Sequence, residues 1–169
     1  GNDARAVSWL TRAAEQGHVR ASSQLGLLYG DGRGVERDDG RAFFWTEKAA
    51  RQGDAQAQND LGVAYSRGTG VKRDTIKAAQ WYRQSAEQGY ALAQFNLAGA
   101  YQSGAGVRQN SGVAYAWYAT VNSHTEGTLK VTSQRMMKRT FSEAARNGRA
   151  EQASLLAEKY CRQYGRRPE

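Results

Sequence analysis

A chain of 169 residues with 40% hydrophobic residues, abundant alanine and a single proline is sized for one domain or a repeat array and composed for helices. No run of about 18 apolar residues is present, which excludes a membrane-spanning helix, and the one cysteine, Cys161, excludes an internal disulfide or a cysteine metal cluster. The formal charge of +8 is uneven: residues 1–129 hold 14 Lys+Arg against 12 Asp+Glu, a net of +2, and residues 130–169 hold 10 against 4, a net of +6.

The first predicted helix covers 4–16 and carries Trp9. The chain opens in mid-repeat and without a basic-then-apolar leader, which reads as a trimmed start with Gly1 a cloning remnant. Trp45, Trp81 and Trp117 follow Trp9 at a fixed interval of 36 residues, the mark of a duplicated helical hairpin. The second helix, 19–30, has Ala21, Leu25 and Tyr29 on one stripe. Gly26 lies inside it, where glycine costs about 1 kcal/mol against alanine, so close approach of a neighbouring helix is expected there. A G-x-G-x turn (Gly32, Gly34) ends in Val35, and Asp38 then precedes a third helix, 39–52, and is placed to cap it. Ala42, Trp45 and Ala49 form that helix's inner stripe, and Gly53 follows Gln52 as a left-handed stop.

The same order recurs downstream. Helices at 55–66 and 75–88 repeat Ala57, Leu61, Gly62, Tyr65, Gly68, Gly70, Val71, Asp74, Ala78 and Gly89. Helices at 91–102 and 111–122 repeat Ala93, Leu97, Tyr101, Gly104, Gly106, Val107, Asn110 and Ala114, with Ala98 where the earlier copies have glycine. The pattern then decays: Ser133, Gln134 and Met137 stand where Leu, Gly and Tyr are due, as in a capping repeat. One helix is expected over 127–138 and a closing helix over roughly 142–164, with Ala145, Leu156 and Tyr160 inward and Gly148 able to bend or interrupt it.

These positions resemble the Sel1-like repeat family, relatives of tetratricopeptide repeats. The matching residues are Ala57, Leu61-Gly62, Tyr65, Gly68-x-Gly70-Val71, Asp74, Ala78, Trp81-Tyr82 and Ala86-x-Gln88-Gly89. The match extends over about 4–122, with Thr46 departing where Tyr82 and Tyr118 stand and Ser85 replacing the first alanine of its motif. The resemblance implies an all-α, right-handed α-solenoid of stacked antiparallel helix pairs with a C-terminal helical cap. It reads as a single domain over 1–169: a partial first repeat 1–17, repeats at about 18–53, 54–89 and 90–125, and a degenerate cap 126–169. It further implies a non-enzymatic scaffold in a bacterial periplasm or outside the cell, without a cofactor. One group resembling this chain consists of periplasmic immunity proteins that neutralise phospholipase effectors delivered by type VI secretion.

By similarity to the tetratricopeptide arrangement, a concave partner-binding face is expected from the variable positions of each first helix. These are Arg20, Ser23, Gln24 and Leu27; then Gln56, Asn59, Asp60 and Val63; then Leu92, Phe95, Asn96 and Gly99. Asn59 and Asn96 have amides able to hold a partner's backbone, or they are ordinary solvated surface. Phe95 is either an aromatic anchor or a packing residue against the closing helices.

Other motifs point away from chemistry. Each G-x-G follows a helix rather than a strand, so it is not a phosphate fingerprint. His18 and His124 have no partner at metal-ligand spacing. Cys161 has no histidine at an identifiable spacing, and Asp38 is occupied as a cap beside Asp39. The basic closing segment stands out: Arg135, Lys138, Arg139, Arg146 and Arg149, with Arg162, Arg166 and Arg167. An acidic protein partner suits it better than nucleic acid, for which few aromatics are interleaved; a plain solvated face is the other reading. Through this end the alternative function is an envelope-associated adaptor engaging anionic lipid, glycan or an assembly partner.

Overall fold

The structure, a computed structural model, describes residues 2–165. Arg166 and Arg167 of the basic segment, and Gly1, lie outside the described residues. Among the described residues the order is α1 (Asn2–Glu15), α2 (Val19–Asp31), α3 (Asp39–Arg51), α4 (Ala55–Arg67), α5 (Thr75–Glu87), α6 (Ala91–Ser103), α7 (Ser111–His124), α8 (Gly127–Arg146) and α9 (Ala150–Tyr164). None of these helices is long and apolar enough to cross a membrane.

The punctuation follows local chemistry. Oδ1 of Asp38 accepts from the Arg41 amide at 2.9 Å, Asp74 from Lys77 at 3.0 Å, and Asn110 from Val113 at 3.1 Å. Each bond satisfies one of the free N–H groups of a helix start. Asp54 caps α4 in the same way, accepting from Ala57 at 2.7 Å, although its repeat equivalents His18 and Tyr90 form no side-chain cap. Gly53 follows α3 at φ 93°, a conformation that glycine adopts without a Cβ penalty.

The packing divides the chain into two compact units, with the boundary between Trp81 and Tyr82 inside α5. In the first unit, Val7, Ala14, Ala21, Leu25 and Tyr29 form a buried cluster, with Leu10, Leu28, Val35, Ala42 and Trp45 packed against it. Ala57, Leu61 and Tyr65 carry the same stripe into α4 and are buried. The interior glycine of α2 has the expected cause. A Cβ on Gly26 would collide with Oγ1 of Thr46 and lie 3.3 Å from the Thr46 backbone nitrogen, so α2 and α3 touch nearly backbone to backbone. Gly70 is another close approach, its position for a Cβ being filled by the Asp39 carbonyl.

In the second unit α7 is the central element, packed by α6, α8 and α9. Its buried residues include Ala114, Ala116, Trp117, Tyr118, Ala119, Thr120 and Val121, so it is covered nearly all round. Trp117 packs against Tyr160, at 4.8 Å between ring centroids, and Tyr164, at 5.2 Å, and the two tyrosine rings are 5.6 Å apart. Leu156, Tyr160 and Cys161 of α9 pack on a buried cluster of Ala116, Ala119 and Ala157, as expected for Leu156 and Tyr160.

The closing segment differs from the sequence reading. The helix expected to stop at 138 continues to Arg146, 20 residues in all, and α9 begins only at Ala150. Gly148, at φ 69°, separates the two helices rather than bending one. Ala144, not Ala145, then faces inward: it is 1% exposed, and Ala145 is exposed. Continuing α8 through 139–146 sets the phase of that face. The four tryptophans also differ, since Trp9 is 69% exposed and Trp117 only 4%.

Candidate functional site

One hollow of the first unit brings together three of the variable positions. Leu27 of α2 meets Asp60 and Val63 of α4 in a groove of about 370 Å³, floored by Gly26, Gly30 and Ala42. Small residues in α2 and α3 leave this space. Burial raises the Asp60 carboxyl above its ordinary value, an effect opposed by the hydrogen bond from Asn59 and reinforced by Asp54. Asn59 donates through Nδ2 to Asp60 at 3.2 Å and is 4% exposed. It is neither solvated surface nor open to a partner's backbone, and its amide instead positions Asp60. Arg20, Gln24 and Gln56 are exposed, and Ser23 is half-buried.

In the second unit the third variable row splits. Leu92 is 48% exposed. Phe95 and Asn96 are half-buried. The Phe95 ring meets Tyr118 of α7 edge-on at 5.2 Å. Tyr118 is almost fully covered and donates to Oε1 of Gln102 at 3.2 Å. Burial pushes its phenol up to about 12, with Arg139 opposing. Cys161 is half-buried with Sγ 4.0 Å from Thr120 Oγ1. His124 places Nδ1 2.6 Å from the Thr120 carbonyl, and His18 is exposed.

The largest of the described hollows, about 760 Å³, lies between α7 and α8. Tyr115, Val131, Met137 and Phe141 supply an apolar lining, and Arg135 and Lys138 stand beside it. The Tyr115 and Phe141 rings are 5.1 Å apart, fixing one end. Val131 is 65% exposed, a large apolar side chain open to solvent within the groove. Helical spacing explains the mixture. Residues 131, 134, 135, 138 and 141 share one face of α8, and this face carries both apolar and cationic groups. No described acidic residue forms an ion pair with Arg135 or Lys138, whereas Arg139 is bound to Glu143 at 3.1 Å.

The predicted basic segment is therefore distributed over two places. Arg135 and Lys138 belong to the α7–α8 groove, while Arg146 and Arg149 line a separate cleft with Gln109 and Asn110. Arg83 and Arg108 join this cleft. They lie far apart in the chain, and only packing brings them together. A signal was present at Arg83, which replaces Glu47 of the preceding copy, whereas Arg108 follows Glu36 and Lys72 at its matching positions.

The family model for the Sel1 repeat matches residues 1–18, 19–54, 55–90 and 91–120. No curated protein matches. Among solved structures, c5321, described as a protective antigen present in uropathogenic Escherichia coli strains and displaying an SLR fold, aligns with a TM-score of 0.84 at 34% identity. That alignment covers 94% of this chain and 33% of the other, so the chain spans about a third of that protein's length. A Sel1 repeat protein from Oxalobacter formigenes aligns with a TM-score of 0.74 at 26% identity, covering 93% of this chain and 63% of that one. The described helices and these structures agree on an all-α fold of the solenoid class.

Proposed function

Because the chain belongs to the Sel1 repeat family, whose members are typically non-catalytic scaffolds, we propose that it is a non-enzymatic protein-binding module. Its partner presents an acidic, amphipathic segment to the groove between α7 and α8. The observation that carries this reading is the groove itself: an open apolar lining of Tyr115, Val131, Met137 and Phe141 beside the cations Arg135 and Lys138. Apolar contact supplies affinity there, and the two cations select for carboxylates and speed encounter. The Leu27, Asp60 and Val63 groove of the first unit supplies a further contact surface.

The finer reading is a periplasmic immunity protein that clamps and neutralises a phospholipase effector of type VI secretion. Its support is the resemblance to that group together with surface rows that change chemistry on a constant frame.

A photo-crosslinking residue placed at Gln134 tests both levels. Live cells of the source bacterium are expected to yield one dominant crosslinked protein, identified by mass spectrometry, that also binds when purified. Val131→Asp, on an exposed side chain, and Lys138→Glu are expected to weaken that binding at least roughly tenfold. Unchanged affinity in both variants overturns the groove assignment. A partner lacking lipase activity overturns the immunity reading alone.

A further inference from the structure

Two adjoining hollows of about 390 and 470 Å³ share Gln109, Asn110 and Arg149. Arg146 lines the first, and Arg83, Arg108 and Tyr101 line the second. Four arginines thus line one cleft built from α5, α6, the α6–α7 turn, the end of α8 and the start of α9. Its one lining carboxylate, Glu143, accepts from Nε of Arg139 at 3.1 Å. Among the described residues none of the four cleft arginines forms an ion pair. Nη2 of Arg83 donates to the Tyr101 hydroxyl, and Nε of Arg146 donates to the Ser142 carbonyl at 3.4 Å.

The repeat frame shows how far this cleft departs from its equivalents. Arg83 stands where the preceding copy has Glu47. Arg108 stands where the two earlier copies have Glu36 and Lys72. Asn110 stands where they have Asp38 and Asp74. Asn110 still caps its helix, so the change keeps the structural bond and removes the charge. Against the preceding copy, Arg83 and Asn110 have shifted toward positive charge and Arg108 keeps the cation of Lys72, while the glycines and Tyr101 around them are constant.

We propose that this cleft binds a phosphate monoester carried on a polyol. Guanidinium groups gathered in one cleft repel one another, and a dianion offsets them better than a single carboxylate does. Each guanidinium also presents paired N–H donors that fit phosphate oxygens two at a time. The combined space exceeds that of a bare anion, and its remaining lining includes the amides of Gln109 and Asn147, which both donate and accept toward hydroxyls. The site is distinct from the α7–α8 groove, so each assignment stands or falls alone.

The test is calorimetric titration of the whole chain at about 150 mM salt, where exposed charges more than a Debye length apart are largely screened. The probes are glucose 6-phosphate, glucose, inorganic phosphate, and phosphatidylcholine vesicles with and without phosphatidic acid. Saturable binding of glucose 6-phosphate is expected, tighter than inorganic phosphate and absent for glucose. Arg108→Gln and Arg149→Gln alter exposed side chains, with folding checked by circular dichroism. Each is expected to weaken binding at least roughly tenfold, the loss of one charge-assisted contact. If phosphatidic acid vesicles bind with the same variant sensitivity and glucose 6-phosphate does not, the phosphate belongs to a lipid headgroup and the anion site stands. Binding to neither probe, or binding unchanged in both variants, overturns the proposal. Equal affinity for inorganic phosphate and glucose 6-phosphate removes the polyol from it.

Discussion

Trp9 in the first unit and Trp117 in the second occupy the same position of the repeat, yet the first is 69% exposed and the second 4%. The difference comes from what lies against each residue. Tyr160 and Tyr164 of α9 cover the Trp117 ring, whereas the described contact of Trp9 is the Arg12 guanidinium above its ring at 5.6 Å. The small-residue position behaves in the same way. Gly26 is required because Thr46 fills the space where a Cβ would project. At the equivalent place in the second unit Ala98 is fully buried, and Tyr118 stands where Thr46 does. A repeat motif therefore specifies the backbone frame, and the neighbouring layer decides what each motif residue contributes to stability.

The sharpest way to break this comparison is to truncate both tryptophans. Trp117→Ala is expected to cost about 3–5 kcal/mol, as for other buried aromatic truncations. Trp9→Ala should stay within about 0.5 kcal/mol, as for exposed positions. Urea unfolding of the two variants, read against the parent chain, checks this. Equal losses would mean that the repeat position rather than its cover sets the energy.

A smaller effect is expected at Gly26. In an open helix, Gly→Ala stabilises by up to about 1 kcal/mol. Here Gly26→Ala overpacks the α2–α3 contact and should destabilise by about 1–3 kcal/mol. Thr46→Ala in the same chain should recover part of that loss, because the colliding atom is the threonine Oγ1. Thermal melts of the single and double variants measure the coupling, and an additive result would contradict the proposed contact.

The smallest stability change is expected from Asn110→Asp, which restores the residue type of Asp38 and Asp74. Asparagine and aspartate cap helices about equally well, so stability should move by less than about 0.5 kcal/mol. The same substitution returns a negative charge to the arginine cleft and should weaken glucose 6-phosphate binding several-fold. Affinity unaffected by that charge would separate the cap from the cleft and argue against an electrostatic site.

Much of the fold was legible because its signals are local. The positions of Asp38, Asp74 and Asn110 gave their helix starts directly, since a cap needs only the backbone three residues ahead. Gly26 announced a close helix contact, because an interior glycine has to be compensated. The closing segment was less legible. Without a repeated partner pattern, the phase of α8 depended on α7, which its residues cover, and Ala145 was assigned the inward place that Ala144 holds. Asn59 was misread for a related reason: a polar residue at a variable position has the same sequence signature whether exposed or buried beside Asp60. The α7–α8 groove was visible only in part, as Arg135 and Lys138, because its apolar half is divided between two helices.

By itself, the sequence determined the repeat register, the helix pairs, their caps and stops, and membership of an all-α family. Hydrogen bonds and sterics within a few residues of each position govern these features. Tertiary structure decided which Trp is covered, which side of α8 is inward, and that Arg83, Arg108, Arg146 and Arg149 share one cleft. Burial and electrostatic fields arise from groups distant in the chain, and only packing brings those groups together.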